Sequence, residues 1–228
     1  MTIPDEKMAS GWTAHAKSAW AHGLIWWRYQ QKAREVSDIH EHLPFLRELS
    51  RSCATICEMG VRRCVSSWAF LLGLAESCAQ EKKLLCVDIV PADISELKAL
   101  GRSLKPSIGV TMTVADSRKV ILPQDFDLLF LDTLHVYGQL KAELWAHHAR
   151  VRRYIVLHDT EVDGTTGEVI RMGWDARKMS RETGISEADI TRGLRPAVDE
   201  FLTTFPDWAL KKHFANNNGL TVLVRRES

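Results

Sequence analysis

The chain has 228 residues, with 30 Lys and Arg against 29 Asp and Glu, a net charge of +1, 45% hydrophobic and 26% charged residues. This is the balance of an ordinary globular protein, and it excludes collagenous, disordered and strongly polyanion-binding classes. No stretch is apolar enough to span a bilayer and the first residues carry no signal-peptide pattern, so a cytoplasmic protein with no membrane and no nucleic-acid partner is expected.

Residues 12–35 read as a helix in which Trp12, Trp20, Trp26 and Trp27 form an apolar face. That face must pack on something. Docking on the main domain is the first reading, and self-association into a homo-oligomer or a substrate lid are the alternatives. Ser37-Asp38 is expected to cap a second helix bearing Ile39, Leu43, Leu46 and Leu49 on one side, with Pro44 straining its first turns. Five cysteines (53, 57, 64, 78 and 86) include no C-x-x-C pair, which points to reduced, mostly buried thiols.

From about residue 53 strands and helices alternate. Short runs rich in Val, Ile, Leu or Phe at 54–58, 83–88, 109–114, 126–132 and 152–158 are separated by helical stretches at 65–80, 93–103 and 137–149. This alternation calls for an α/β, doubly wound, Rossmann-like and mostly parallel sheet. Residues 160–192 read as a long functional loop, rich in Gly, Thr and charge. A helix over 193–205 follows, with Leu194, Val198, Phe201 and Leu202 on its buried side. Segments 208–214 and 220–225 around Asn218-Gly219 make a closing antiparallel hairpin.

The polar residues recur at the carboxyl ends of the strands, where open α/β sheets bind ligands. Strand one ends in Glu58-Met59-Gly60, with Arg62 and Ser66 beyond. Strand two ends in Asp88, strand three in Asp116-Ser117, strand four in Asp132 with His135 three residues on, and strand five in His158-Asp159-Thr160. A dinucleotide site wants three glycines around a pyrophosphate, and only Gly60 is present. A ligand with a ribose but no phosphate, such as S-adenosylmethionine, suits the turn better.

The pieces Glu58-Met59-Gly60-Val61-Arg62 with Ser66, Phe130-Leu131-Asp132-Thr133-Leu134-His135-Val136-Tyr137 and His158-Asp159-Thr160 resemble the class I S-adenosylmethionine-dependent methyltransferases. More narrowly, they are similar to a bacterial small-molecule branch with E-x-G-x-R-x-G-x-S, F-x-D-x-x-H-x-Y and H-D-T motifs. Gly193-Leu194-Arg195-Pro196 and Asn217-Asn218-Gly219-Leu220 also fit. The resemblance implies a seven-stranded sheet, with residues 1–52 as a helical arm and 53–228 as the methyltransferase domain. It implies that Glu58, Gly60, Arg62 and Ser66 border the methionine end of the cofactor. Asp88 would hold the ribose, Asp116 and Ser117 would lie beside the adenine, and Asp132 would face the methyl-transfer centre. The chain departs from the pattern at Cys64, where the branch has glycine.

Methyl transfer to a hydroxyl needs alignment and loss of a proton, through a general base or a divalent cation. His135 is the first candidate base and His158 the second, beside Asp132. Catechol-type and cephalosporin-biosynthesis-type O-methyltransferases are similar in placing acidic metal ligands at the ends of strands four and five. Here Asp132, His158 and Asp159 stand at those positions and would hold Mg2+ or another divalent ion. His147 and His148 are assigned to structure, and Tyr137 either to packing or to the acceptor pocket. The expected function is methyl transfer to a small-molecule acceptor such as a sugar or polyketide, with the arm, the 160–192 segment and Trp174 as its walls. Arg171, Arg177, Lys178, Arg181 and Arg192 also admit an acidic acceptor. A metal-dependent hydrolase and a cofactor-binding protein without catalysis are the competing readings.

Overall fold

A computed structural model describes residues 13–226; Trp12 and the rest of the arm before it lie outside the described residues. Helix α1 (Ala14–Arg34) starts at Thr13, whose hydroxyl accepts from the Ala16 amide. It buries Ala21, Leu24, Ile25 and Tyr29, a stripe at helical spacing, while Trp26 stays on the outer side at 45% exposure. A single 3-10 turn at His40–His42 leads into α2 (Leu43–Ser50). Ser37 and Asp38 do not cap that helix, because the 3-10 turn intervenes and places His42 at its N-cap. Pro44 sits in the first turn, where its missing N–H has no intrahelical role, so the expected strain is absent.

The remaining elements are β1 (Thr55–Met59), α3 (Val65–Glu76), β2 (Lys82–Asp88), α4 (Ser95–Ser103), β3 (Ile108–Val114), β4 (Phe126–Leu131), α5 (Tyr137–His147), a second 3-10 turn (His148–Arg150) and β5 (Val151–His158). After them come α6 (Glu168–Arg171), α7 (Ala176–Thr183), α8 (Glu187–Thr191), α9 (Arg195–Thr204), β6 (Trp208–Phe214) and β7 (Leu220–Arg225). They form one seven-stranded sheet in the order β3-β2-β1-β4-β5-β7-β6. The first five strands run parallel, and β7 enters antiparallel between β5 and β6. The expected doubly wound sheet with a closing hairpin is therefore what the chain forms.

Period-two alternation divides the core. Ile56, Leu128 and Phe130 join α1–α4 on one face, while Cys57, Met59, Leu129 and Leu131 join α5 and α9 on the other. Both faces being covered explains why β1 is buried at every position and reads as an apolar run save for Thr55 and Glu58. All five cysteines are free, and four are buried as expected.

The 160–192 segment is the main departure from the sequence reading. It is not a loop but three short helices with a small core of their own, in which Val169, Ile185 and Ile190 pack on Val136. The elements are too short to show helical periodicity, which is why the sequence reads as irregular. Among the described residues, no helix is long and apolar enough to cross a membrane.

Candidate active site at the switch point

β1 pairs with β2 on one side and with β4 on the other, so the strand order reverses between β1 and β4. A crevice opens outside the carboxyl ends of the strands at such a point. The turn after β1 fills it closely. Gly60 has φ +86°, and a Cβ there would lie 1.9 Å from the Asp132 carbonyl oxygen, so only glycine fits. Cys64 takes φ 56° and ψ 36° at the N-cap of α3. The left-handed conformation suited to glycine is thus kept with a side chain in place, and the buried thiol points its sulfur toward the Asp93 carbonyl at 3.8 Å. Arg62 also has positive φ.

Glu58, Ser66 and Ser67 close the α3 side of the turn. The Glu58 carboxylate is fully buried and receives the hydroxyls of Ser66 at 2.5 Å and Ser67 at 2.6 Å, with the Cys86 thiol at 3.7 Å. Burial pushes its pKa up to about 7, with the two hydroxyls pulling the other way. Asp88 anchors the turn from β2. Its Oδ2 accepts the amides of Val61 at 2.8 Å and Arg62 at 3.1 Å, and its Oδ1 accepts that of Val90 at 3.0 Å.

Beyond β3, the carboxylate of Asp116 is gripped by the Arg118 guanidinium at 3.0 and 2.8 Å. Ser117 turns its hydroxyl inward to Glu143 at 2.5 Å, in a buried knot with Thr133 and Gln139. His147 Nε2 donates to the Ser117 carbonyl, 2.6 Å away, in keeping with its structural assignment. The Tyr137 hydroxyl donates to Glu200 at 2.5 Å, binding α5 to α9.

The densest cluster lies at the ends of β4 and β5. Asp132 Oδ1 is 3.1 Å from both His135 Nε2 and His158 Nδ1. The other nitrogen of His158 lies 3.1 Å from the Asp38 carbonyl oxygen, so both of its nitrogens face acceptors. His135 Nδ1 faces three more carboxylates: Asp159 at 3.1 Å, Glu168 at 3.3 Å and Asp163 at 3.7 Å. Burial would raise the Asp132 pKa, yet the two imidazoles hold it well below the usual carboxylate range. Against burial, Asp132 and Asp159 hold His158 up at about 10, and the ring of carboxylates keeps His135 well above its ordinary value. Asp159 itself has φ +55°, a strained conformation for a non-glycine residue of the kind found at functional sites.

Two cavities flank the cluster. One of about 590 Å3 lies between the 32–39 segment and the 60–66 turn. The other, about 440 Å3, lies between Asp88, Ile89, Asp116 and Leu134, with Met179 and Thr183 of α7 on its far side. Gly60, Arg62 and Asp132 line both. The expected residues Glu58, Gly60, Arg62, Ser66, Asp88, Asp116, Ser117, Asp132, His135, His158 and Asp159 thus all gather at one end of the sheet. Trp174 borders neither cavity.

Sequence reasoning missed Ser67, Asp163, Glu168 and Glu143. Ser67 carries a faint signal, a polar group in the first turn of an otherwise apolar helix, and Glu143 a fainter one, since α5 also carries Gln139 and Lys141. Asp163 and Glu168 carry none, since they lie in the segment read as a loop.

No protein-family model matches the sequence, and no curated protein does. Solved structures do match in fold. Cofactor-bound Rv0187 from MTB is 13% identical, with TM-score 0.55 over 100% of both chains. The O-methyltransferase from Bacillus cereus in complex with SAH is 14% identical, with TM-score 0.53 over 90% of each chain. The N-methyltransferase NodS from Bradyrhizobium japonicum WM9, bound to S-adenosyl-L-homocysteine, is 14% identical, with TM-score 0.51 over 91% of this chain and 99% of its own. At these identities the likeness speaks to fold alone, and with the strand order it gives this chain the α/β fold of the class I S-adenosylmethionine-dependent methyltransferases.

Proposed function

We propose that the chain is an S-adenosylmethionine-dependent methyltransferase directed at a hydroxyl of a small molecule. The observation that carries the reading is that two cavities meet at Gly60, Arg62 and Asp132, the point where the resemblance puts the methyl-transfer centre. The cofactor supplies an electrophilic methyl group on a sulfonium, and the protein's task is then alignment and removal of a proton.

The residues fit that ligand. Asp88 Oδ1 keeps a lone pair for a ribose hydroxyl, while Oδ2 is committed to the turn. Val87, Ile89 and Leu134 offer apolar walls to a flat base, and the 72% exposure of Ile89 is otherwise unexplained for such a side chain. Gly60 and Ser66 border the other end, while the fully buried Glu58, expected there from the sequence, lies behind Ser66 and lines neither cavity. Lys32, Glu35, Asp38 and Arg63 bring charged groups to the larger cavity beside Val36, Ile39 and Val65, a mixed lining that suits a hydroxyl-bearing acceptor of the sugar or polyketide kind.

The carboxylates around both imidazoles favour their protonated forms, and each ring directs an N–H at Asp132 Oδ1. Positive charge brought beside Asp132 competes with those protons for the carboxylate and lowers their hold. His135 therefore becomes the proton acceptor only after the cavity is filled. Asp132, His158 and Asp159 also stand within 4.8 Å of one another, but both nitrogens of His158 face acceptor oxygens, and its Nδ1 proton would have to leave before that imidazole could hold an ion that polarises an acceptor hydroxyl.

Calorimetric titration with S-adenosylhomocysteine tests the reading. Binding in the micromolar range is expected, and no heat at millimolar ligand sinks it. Among acceptor screens that give turnover, His135→Asn should lower kcat about 100-fold or more while leaving the Kd within threefold. A base must lose its proton to act, so kcat/KM should rise with pH along a limb displaced upward from the ordinary imidazole range. The corresponding limb in kcat should lie lower. A hydrolase would use the same His and Asp cluster, and failure to bind S-adenosylhomocysteine together with metal-dependent ester or amide cleavage would select it.

A further inference from the structure

The cavity around Asp132 leaves one group of side chains unused. His135 presents Nε2 to Asp132, but Nδ1 points away from that aspartate into a pocket of carboxylates from the 159–168 segment. His135 is 6% exposed, Asp159 4% and Asp163 fully buried. Nδ1 is within ion-pair distance of Asp159 Oδ2, yet it makes no aligned hydrogen bond to any of its three neighbours. Asp159 Oδ1 is likewise buried with no hydrogen-bond partner. A buried nitrogen and a buried carboxylate oxygen left unmatched at one spot are costly unless something else satisfies them.

The spacing suits a metal. The ligating atoms of His135, Asp159 and Asp163 all lie within 4.8 Å of one another. Nδ1 stands 3.1, 3.3 and 3.7 Å from the oxygens of Asp159, Glu168 and Asp163. Ligands bonded at about 2.1 Å around one ion are separated by about 3.0 Å when adjacent and about 4.2 Å when opposed. Asp132 and His158, by contrast, spend their facing atoms on a hydrogen bond to each other at 3.1 Å. The set expected from sequence, Asp132 with His158 and Asp159, is thus the better satisfied of the two.

We propose that His135 Nδ1, Asp159, Asp163 and Glu168 form a binding site for a divalent transition-metal ion on the side of His135 away from Asp132. One imidazole nitrogen with carboxylate oxygens selects Mn2+, Fe2+ or Zn2+ over Mg2+. Arg171, which grips Asp163 at 2.6 and 2.8 Å, offsets part of the negative charge and holds that ligand in place. The ion would take the place of the Nδ1 proton, fix the ring and leave its Nε2–H on Asp132; His135 then positions Asp132 and accepts no proton, so an ion-loaded chain would not use His135 as its base. The inference does not rest on the methyltransferase reading, because ion binding is measured without cofactor or acceptor.

The test is titration of the metal-stripped full chain with Mn2+, followed by electron paramagnetic resonance of the free ion and by calorimetry, with Mg2+ as comparison. Wild type should bind Mn2+ at least tenfold more tightly than Mg2+. Glu168→Gln should weaken Mn2+ tenfold or more, and His158→Gln should leave it within threefold. Glu168 is only partly buried, so its amide variant is expected to fold, which circular dichroism checks. Should it not fold, broadening of the His135 ring resonances by substoichiometric Mn2+ in the wild type, ahead of those of His158, gives the same answer. The proposal is overturned if Mn2+ fails to bind at millimolar concentration. It also falls if His158→Gln abolishes binding while Glu168→Gln leaves it unchanged.

Discussion

Glu58 places a carboxylate in the middle of an apolar strand, where burial opposes its charge and two hydroxyls only partly relieve the cost. The folded protein binds this proton up to about pH 7, whereas an exposed glutamate releases it near 4.5. Because the native state holds more protons over that window, stability falls as pH rises through it, by roughly 3 kcal/mol in total. Glu58→Gln removes the ionisation and should gain on wild type from pH 4.5 to 7, then run parallel. Urea midpoints across that range measure it, and a pH-independent difference would contradict the account. At this scale the sequence is informative about Glu58, Gly60, Asp88 and Asp132, because a carboxylate or glycine at a strand end stands out against an apolar run. It says little about Ser67 and nothing about Asp163, since a serine in a helix and an aspartate in a charged stretch have many ordinary reasons to be there.

α6, α7 and α8 cover the site with a core separate from that of the sheet. Gly138 and Gly167 let it pack closely: a Cβ on Gly138 would meet Ile185 at 2.5 Å, and one on Gly167 would meet the Arg192 carbonyl at 2.8 Å. Ile190 is fully buried in that small core, and truncation of such a residue costs about 2–4 kcal/mol. Local opening is then easier than global unfolding. Ile190→Ala should speed amide exchange over 168–191 while leaving β1, β4 and β5 as protected as before, a pattern hydrogen exchange resolves residue by residue. Uniform loss across the sheet would show that the two cores are one. The closing hairpin is a second element with reach. Gly219, with φ +95°, lies against the Glu161 backbone, and the Asn218 carbonyl accepts the amides of Glu161 and Val162. The neighbouring Asn217 donates to the Ser37 carbonyl and accepts from the Glu41 amide. One turn therefore braces both the exit from β5 and the segment that walls the larger cavity. The sequence marks this hairpin by its Asn-Gly pair, but gives no sign of what the turn touches.

Across the whole molecule, the arm is built into the structure. α1 and α2 share a continuous hydrophobic cluster with α3, α4 and the sheet, and Asp38 reaches His158 through its carbonyl and Arg62 through its carboxylate at 3.1 Å. A chain beginning at residue 37 would expose the surface that Ala21, Leu24, Ile25 and Tyr29 cover. It is expected to lose the cooperative thermal transition of the full chain, followed by circular dichroism; an unchanged melt would mean that α1 is dispensable.

The sequence by itself determined the alternation of strands and helices, the glycine turn, the acidic strand ends and the hairpin. Those features are local: hydrophobic period, turn chemistry and strand length are written within a few neighbouring residues. The tertiary structure alone decided that His135 stands between Asp132 and a second ring of carboxylates. It also decided that Asp116 and Ser117 are engaged by Arg118 and Glu143, and that the 160–192 segment is folded. Such contacts join positions far apart in the chain, and they depend on strand order, on register and on the left-handed backbone of Asp159, which no local pattern encodes.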